Sequence, residues 1–211
     1  MVNERDIGYI ATPILQSALS AATTMINADH VTIPKSYAEA MSSANSPQWL
    51  QAMNNEHDAH ILNNTWSLTA CPINTNIVGT RWVYDIKRDS NGAIIKFKAR
   101  LVAQGFSQME GVDYFDTFAP VFRCQSLRLV LSIVTIKDYE LVQMDVTTAF
   151  LNAEVKEDIY VKQPPGFSEN SSMVCKLNKA LYGIKQAPFE WNNIINDYLV
   201  SVGWKSIVSD Q

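Results

Sequence analysis

Apolar and polar positions along the chain fall into a few clear periodicities. Trp49, Leu50, Met53, His57, His60 and Ile61 recur at helical spacing and predict an amphipathic helix over 48–62. Ser46-Pro47 supplies its start, with proline in the first turn, and Ser36 followed by Glu39 has the form of a capping box for a short helix before it. Arg81–Lys87 and Ala93–Leu101 alternate apolar with polar around Asn91-Gly92, which predicts a β-hairpin. A two-residue turn there sets Trp82 against Leu101, Tyr84 against Ala99 and Ile86 against Phe97 on one face. It sets Lys87 against Lys96, Asp85 against Lys98 and Val83 against Arg100 on the other.

Leu127, Val130, Leu131 and Val134 predict a buried helix over 127–136, and Leu141–Val146 predicts a buried strand. Ile159–Val161 reads as a short strand closed by Pro164-Pro165-Gly166. Pro188 opens a helix whose Trp191, Ile194, Ile195, Tyr198, Leu199 and Val202 form a stripe expected to pack in the core. Residues 1–33 are rich in Ala, Ser and Thr and weakly patterned, which suits a loosely attached leader. There is no internal repeat and no low-complexity tract.

Composition narrows the class. At 211 residues, 47% hydrophobic and 18% charged, the chain is globular, with room for one domain or most of a larger one. A net charge of -4 gives no global basic field and excludes a nucleic-acid binder of the histone or tail type. The average hides a local imbalance. From Arg81 to Arg100 there are six basic residues against two acidic ones. Directly opposed like charges cost a hairpin roughly a few tenths of a kcal/mol, and a polyanion across that face would relieve them. The alternative is an ordinary solvated face.

Cys71, Cys124 and Cys175 are scattered and form no CxxC pair, which argues against a disulfide framework or zinc site and suits a reducing compartment. The mixed charges of Met1–Asp6 are not the basic start of a secretory signal, and no run reaches the ~18 apolar residues of a membrane span. The expectation is a soluble intracellular protein that meets no membrane, in which the sequons at Asn63 and Asn170 carry no meaning.

Two places invite a metal reading. His57 and His60, beside Glu56 and Asp58, have no third ligand in sight and read as histidines on a half-buried helix face. Asp145 sits near the end of an apolar run, where a carboxylate is costly unless it is paired or binds a cation. The tip of a strand is a common metal-ligand placement; the alternative is an Asp that caps the following turn.

Seven ordered blocks carry a family resemblance. They are Asn64–Trp66, Val78–Tyr84, Lys98–Phe106, Thr117–Val121, Gln143–Asn152, Gln163–Phe167 and Leu181–Gln186. Together they resemble the reverse transcriptase of copia-type LTR retrotransposons, over roughly Pro34 to the C-terminus.

The resemblance implies an α+β right-hand polymerase that adds deoxynucleotides to a primer on an RNA or DNA template. It implies a helical lead-in over 34–62, fingers over about 63–125 and an incomplete palm, with an antiparallel sheet, over about 126–211; the thumb is absent. Asp145 would belong to the first palm motif and hold two Mg²⁺ ions with help from the Val146 carbonyl. Lys87 and the Lys98/Arg100 pair would face the triphosphate of the incoming nucleotide, and the resemblance does not choose between the last two. Phe150 matches the bulky residue that leaves no room for a 2′-hydroxyl, and Gly183 and Lys185 match the motif against the nascent pair and template.

The departures matter as much. Where the family reads Ser-Pro-Arg, this chain reads Ala187-Pro188-Phe189. The family's other catalytic carboxylates lie in a Tyr-x-Asp-Asp hairpin some tens of residues past Gly203-Trp204, and no such motif occurs before Gln211. Asp210 is no substitute. The expectation is therefore a truncated reverse transcriptase, inactive alone, whose partners are primer–template, deoxynucleotides and the rest of a polyprotein. A non-catalytic nucleic-acid-binding module and a poorly folding relic are the other readings. The fragment or relic ranks above the module, because nothing in the chain looks newly optimised.

Overall fold

A computed structural model describes residues 31–121, 123–146, 148–168 and 172–205. The leader expected over 1–33 lies, except for its last three residues, outside the described residues, as does Asp210. The chain divides into two compact units, interleaved in sequence: one takes the residues up to Asn54 with Val83–Arg100, the other takes Asn55–Trp82 and everything from Leu101.

The first unit is built on α1 (Tyr37–Ser42), the start of α2 (Ser46–Leu62), and the outer parts of β3 (Thr80–Arg88) and β4 (Ile94–Ala103). Ser36 caps α1 as expected, accepting the Glu39 N–H at 3.2 Å. The Glu39 carboxylate reaches back to the Lys35 N–H instead of the Ser36 N–H, so the capping box is offset by one residue. On α2, Trp49, Ala52 and Met53 are buried. The Trp49 ring meets Tyr84 at 5.2 Å and Phe97 at 4.7 Å, both edge-on, the arrangement that ring quadrupoles prefer. This aromatic trio is the unit's core.

The Tyr84 hydroxyl donates to Met53 Sδ at 3.2 Å. Burial first, and the neighbouring Tyr37 second, push its pKa up to about 12. An unfolded tyrosine ionises near pH 10, so this burial is harmless below pH 10 and increasingly destabilising as pH rises from about 10 towards 12. The urea midpoint should therefore fall between pH 9 and pH 11, and Tyr84→Phe should flatten that fall. An equal fall in both proteins would refute the assignment.

The β3–β4 hairpin forms, but with a different turn. Asp89 pairs with Ala93 (N–H to C=O, 2.9 Å), leaving Ser90, Asn91 and Gly92 in the loop, with Gly92 at φ +85°. The Asp89 carboxylate accepts the Asn91 and Ala93 N–H groups at 2.9 and 2.8 Å, which favours the longer loop over the two-residue turn expected. The pairing at the turn is thus one residue out of step, so Lys87 against Lys96 no longer follows from it. The faces nevertheless sort as expected, with Tyr84 and Ala99 buried, Ile86 and Phe97 half-buried, and Val83, Asp85, Lys87, Lys96 and Arg100 exposed.

The second unit holds a four-stranded sheet in the order β1-β6-β5-β2. Its strands are β1 (Trp66–Ala70), β2 (Ile77–Val78), β5 (Tyr160–Val161) and β6 (Met173–Leu177). β6 runs antiparallel to β1, with Trp66 opposite Leu177, and antiparallel to β5, with Val161 opposite Cys175. The β5–β6 pair, which lies within 126–211, is thus antiparallel as expected, while the β2–β5 pair, with Val78 opposite Val161, is parallel and makes the whole sheet mixed. Val78, Val161, Cys175, Leu177, Ile159 and Leu181 are buried around it. His60 is buried against Trp66 at 4.9 Å, and its Nδ1 lies 3.3 Å from the Thr65 hydroxyl, in keeping with a packed histidine.

Three expectations about burial fail. A helix does form as α3 (Cys124–Lys137), but none of its residues is buried and Ile136 is 79% exposed. Leu141–Val146 is extended without being a strand, and Met144 is 86% exposed. The last helix, α4 (Ala187–Ser201), buries Ala187 and Glu190, while Ile194, Tyr198 and Leu199 remain exposed. The cause is the same each time. Periodicity sets a helix, whereas burial and strand pairing need a covering element, and no described element lies over these faces. No helix among the described residues is long and apolar enough to cross a membrane.

Candidate nucleotide and nucleic-acid site

In the first unit the alternation of β3 and β4 sets the chemistry. Because successive side chains of a strand point to opposite faces, burying Tyr84 and Ala99 puts Lys87, Lys96, Lys98 and Arg100 on the outer face. Lys87, Lys96 and Arg100 are exposed and Lys98 is half-buried. None of the four is in an ion pair with a described carboxylate; the Lys156–Glu190 and Lys176–Asp158 pairs lie in the other unit. Arg88 is committed locally, donating to the Gly92 carbonyl at 2.8 Å. Uncompensated cations on one ladder face are what an extended anion needs.

In the second unit, Gly183 and Lys185 lie in the turn Leu181–Gln186 that leads into α4. Gly183 has φ +97°, and a Cβ there would run into the Ala103 carbonyl and the Val102 side chain. The end of β4 is bonded to this turn by the Ala103 N–H donating to the Tyr182 carbonyl at 2.8 Å. A Cβ on Gly105 would strike the Gly183 carbonyl, so both glycines are required by close backbone approach. Phe150, half-buried in a 3₁₀ turn (Ala149–Asn152), meets the Tyr182 ring at 5.5 Å, which brings it to the same turn.

A lattice of buried amides fixes this turn, and hydrophobic periodicity carries no sign of it. Gln108, 5% exposed, accepts the Lys185 N–H at 2.8 Å and donates to Gln186 at 3.0 Å. Gln186, 1% exposed, donates to the Asp113 carbonyl at 2.8 Å and to Glu157 at 3.2 Å. Lys185 Nζ donates to the Tyr114 hydroxyl. Polar residues in a loop read as surface unless their partners are known; here the hint was Gln186 inside a motif and Gln108 just after Gly105-Phe106.

Asp145 and Val146 are both exposed, in the extended segment before that 3₁₀ turn. Among the described residues no three His, Cys, Asp or Glu side chains gather as a metal site. A lone carboxylate with a neighbouring carbonyl does not fit a two-Mg²⁺ centre, which shares its carboxylates between two ions a few ångströms apart. His57 and His60 likewise join no such group.

The chain belongs to the reverse transcriptase (RNA-dependent DNA polymerase) family, which it matches over residues 63–210. It is 41% identical over 174 residues to the retrovirus-related Pol polyprotein from transposon RE1 of Arabidopsis thaliana, covering 81% of this chain and 12% of that polyprotein. It is 37% identical over 179 residues to the corresponding polyprotein from transposon TNT 1-94 of Nicotiana tabacum, covering 84% of this chain and 14% of that one. An uncharacterized mitochondrial protein of Arabidopsis thaliana is 41% identical over 102 residues, 48% of this chain and 60% of its own length. The chain thus spans about one-eighth of the length of the polyproteins it matches. No solved structure matches it.

Proposed function

We propose that this chain contributes the fingers and the first part of the palm to a copia-type RNA-directed DNA polymerase, and that the 211 residues alone bind primer–template without extending it. The fingers would run over about 63–125 and the palm from about 126, after a helical lead-in over 34–62. Lys87 with Lys98 or Arg100 would meet the nucleotide triphosphate, and Phe150 would exclude a 2′-hydroxyl. Gly183 and Lys185 would lie along the nascent pair and template. Asp145 with the Val146 carbonyl would give one part of a metal centre whose other carboxylates come from elsewhere in the polyprotein. A compartment inside the cell follows from that role.

The observation that carries the proposal is the unpaired basic face of β3–β4 within a family match over residues 63–210. A non-catalytic binding module draws on the same face, since the ladder is whole where the carboxylate set is not. Binding of a fluorescent RNA–DNA primer–template by the chain should weaken steeply between 50 and 200 mM salt. Lys98→Ala and Arg100→Ala should each lower the slope of log K against log[salt] by about 0.9. No binding at low salt, or unchanged slopes in both variants, would defeat the proposal.

A further inference from the structure

Lys185 is not a free cation. Its ammonium donates to the Tyr114 hydroxyl at 2.8 Å and lies 4.2 Å from the centre of the Tyr114 ring, with a longer 3.5 Å approach to the Gln108 carbonyl. The ring is carried by a tightly clamped turn. The Gly111 N–H donates to the Tyr114 carbonyl at 2.9 Å, and neighbouring Asp113, 2% exposed, accepts from the Met109 N–H and from Asn76. The backbone of Lys185 is held independently by Gln108. A four-carbon side chain that would otherwise sample many rotamers is thus anchored at both ends. An ammonium has three donors; the hydroxyl holds one closely, while the long Gln108 contact and the ring face hold the others weakly enough to be exchanged for a phosphate oxygen.

We infer that Tyr114 is a positioning residue: it holds the Lys185 ammonium where it meets the phosphate backbone of a bound primer–template. The inference rests on the reading above that Lys185 faces nucleic acid, and it adds a residue outside the turn that carries Lys185.

Two measurements on the whole 211-residue chain test it separately from that reading. In a brief acylation with an amine-reactive ester followed by mass spectrometry, Tyr114→Phe and Tyr114→Leu should each raise Lys185 labelling about threefold, with Lys87 labelling unchanged. In the duplex titration, Lys185→Ala should lower the salt slope by about 0.9. Tyr114→Leu should weaken binding about threefold in the parent and have no effect in the Lys185→Ala background. Unchanged Lys185 labelling overturns the inference whatever the duplex does. Equal weakening in both backgrounds overturns it, because Tyr114 would then act without Lys185. Tighter binding by Tyr114→Leu also overturns it, because the ring would then compete with phosphate. If labelling responds but Lys185→Ala leaves binding and slope intact, Lys185 does not face the duplex, and both the reading and the functional half of the inference fall.

Discussion

Gly183→Ala will lower the thermal midpoint of the chain by roughly 4–20 °C. Two costs add. At φ +97° an alanine adopts a backbone conformation unfavourable for L-residues, at about 1–2 kcal/mol. Its Cβ would also overlap the Ala103 carbonyl and the Val102 side chain, so backbone must shift, at about 1–3 kcal/mol. For a chain of this size each kcal/mol is worth about 2–4 °C. Gly92→Ala is the control: φ is +85° there but nothing lies within 4 Å of a new Cβ, so only the conformational cost applies. Melting curves followed by circular dichroism would show the difference. Equal losses in the two variants would mean that the approach of β4 to the Leu181–Gln186 turn carries no energy. Because Lys185 lies two residues on, Gly183→Ala should also weaken the duplex.

The second large effect is catalytic. The 211-residue chain, supplied with an RNA template, DNA primer, deoxynucleotides and Mg²⁺, should show no primer extension above the protein-free control. A two-metal centre stabilises attacking and leaving oxygens by several kcal/mol, and each ~1.4 kcal/mol is a factor of ten in rate. With no three His, Cys, Asp or Glu ligands gathered among the described residues, extension should fall by on the order of 10³-fold or more, below detection in a gel assay. Asp145→Asn should then change nothing. Extension that Asp145→Asn abolishes would show instead that these residues build a working centre.

What could be read in advance depended on how local the determinants were. The helix over Ser46–Leu62 and the β3–β4 hairpin were legible because Trp49, Met53 and the Tyr84–Ala99 faces announce their period over a few residues. The turn between the strands was misread because the Asp89 carboxylate, not the Asn91-Gly92 pair alone, decides its length. The four-stranded sheet was mostly illegible: β2 and β5 are two residues each, and β1 finds its register only against β6. Leu127–Ile136 and Leu141–Val146 looked buried because apolar periodicity records what a face is suited to, not whether a neighbour covers it. At the candidate site, Lys98, Arg100, Gly183 and Lys185 are pointed to by the family's blocks alone. Gln108 and Tyr114 lie outside those blocks, and Gln186, though inside one, shows its buried role only through its partners, since buried polar contacts leave no periodic trace.

The register of β1 against β6 also governs timing. On the ribosome, Trp66 must wait for Leu177, about 110 residues later, which takes roughly 5–20 s at ordinary synthesis rates. Until then β1 lacks its ladder partner β6, and the sheet of the second unit cannot close. The first unit has all its pieces once Arg100 emerges. Synthesis thus delivers the basic hairpin early and the Lys185 turn late, so a nascent chain shelters one surface while the strands that hold the other still wait for chaperones or for their partners.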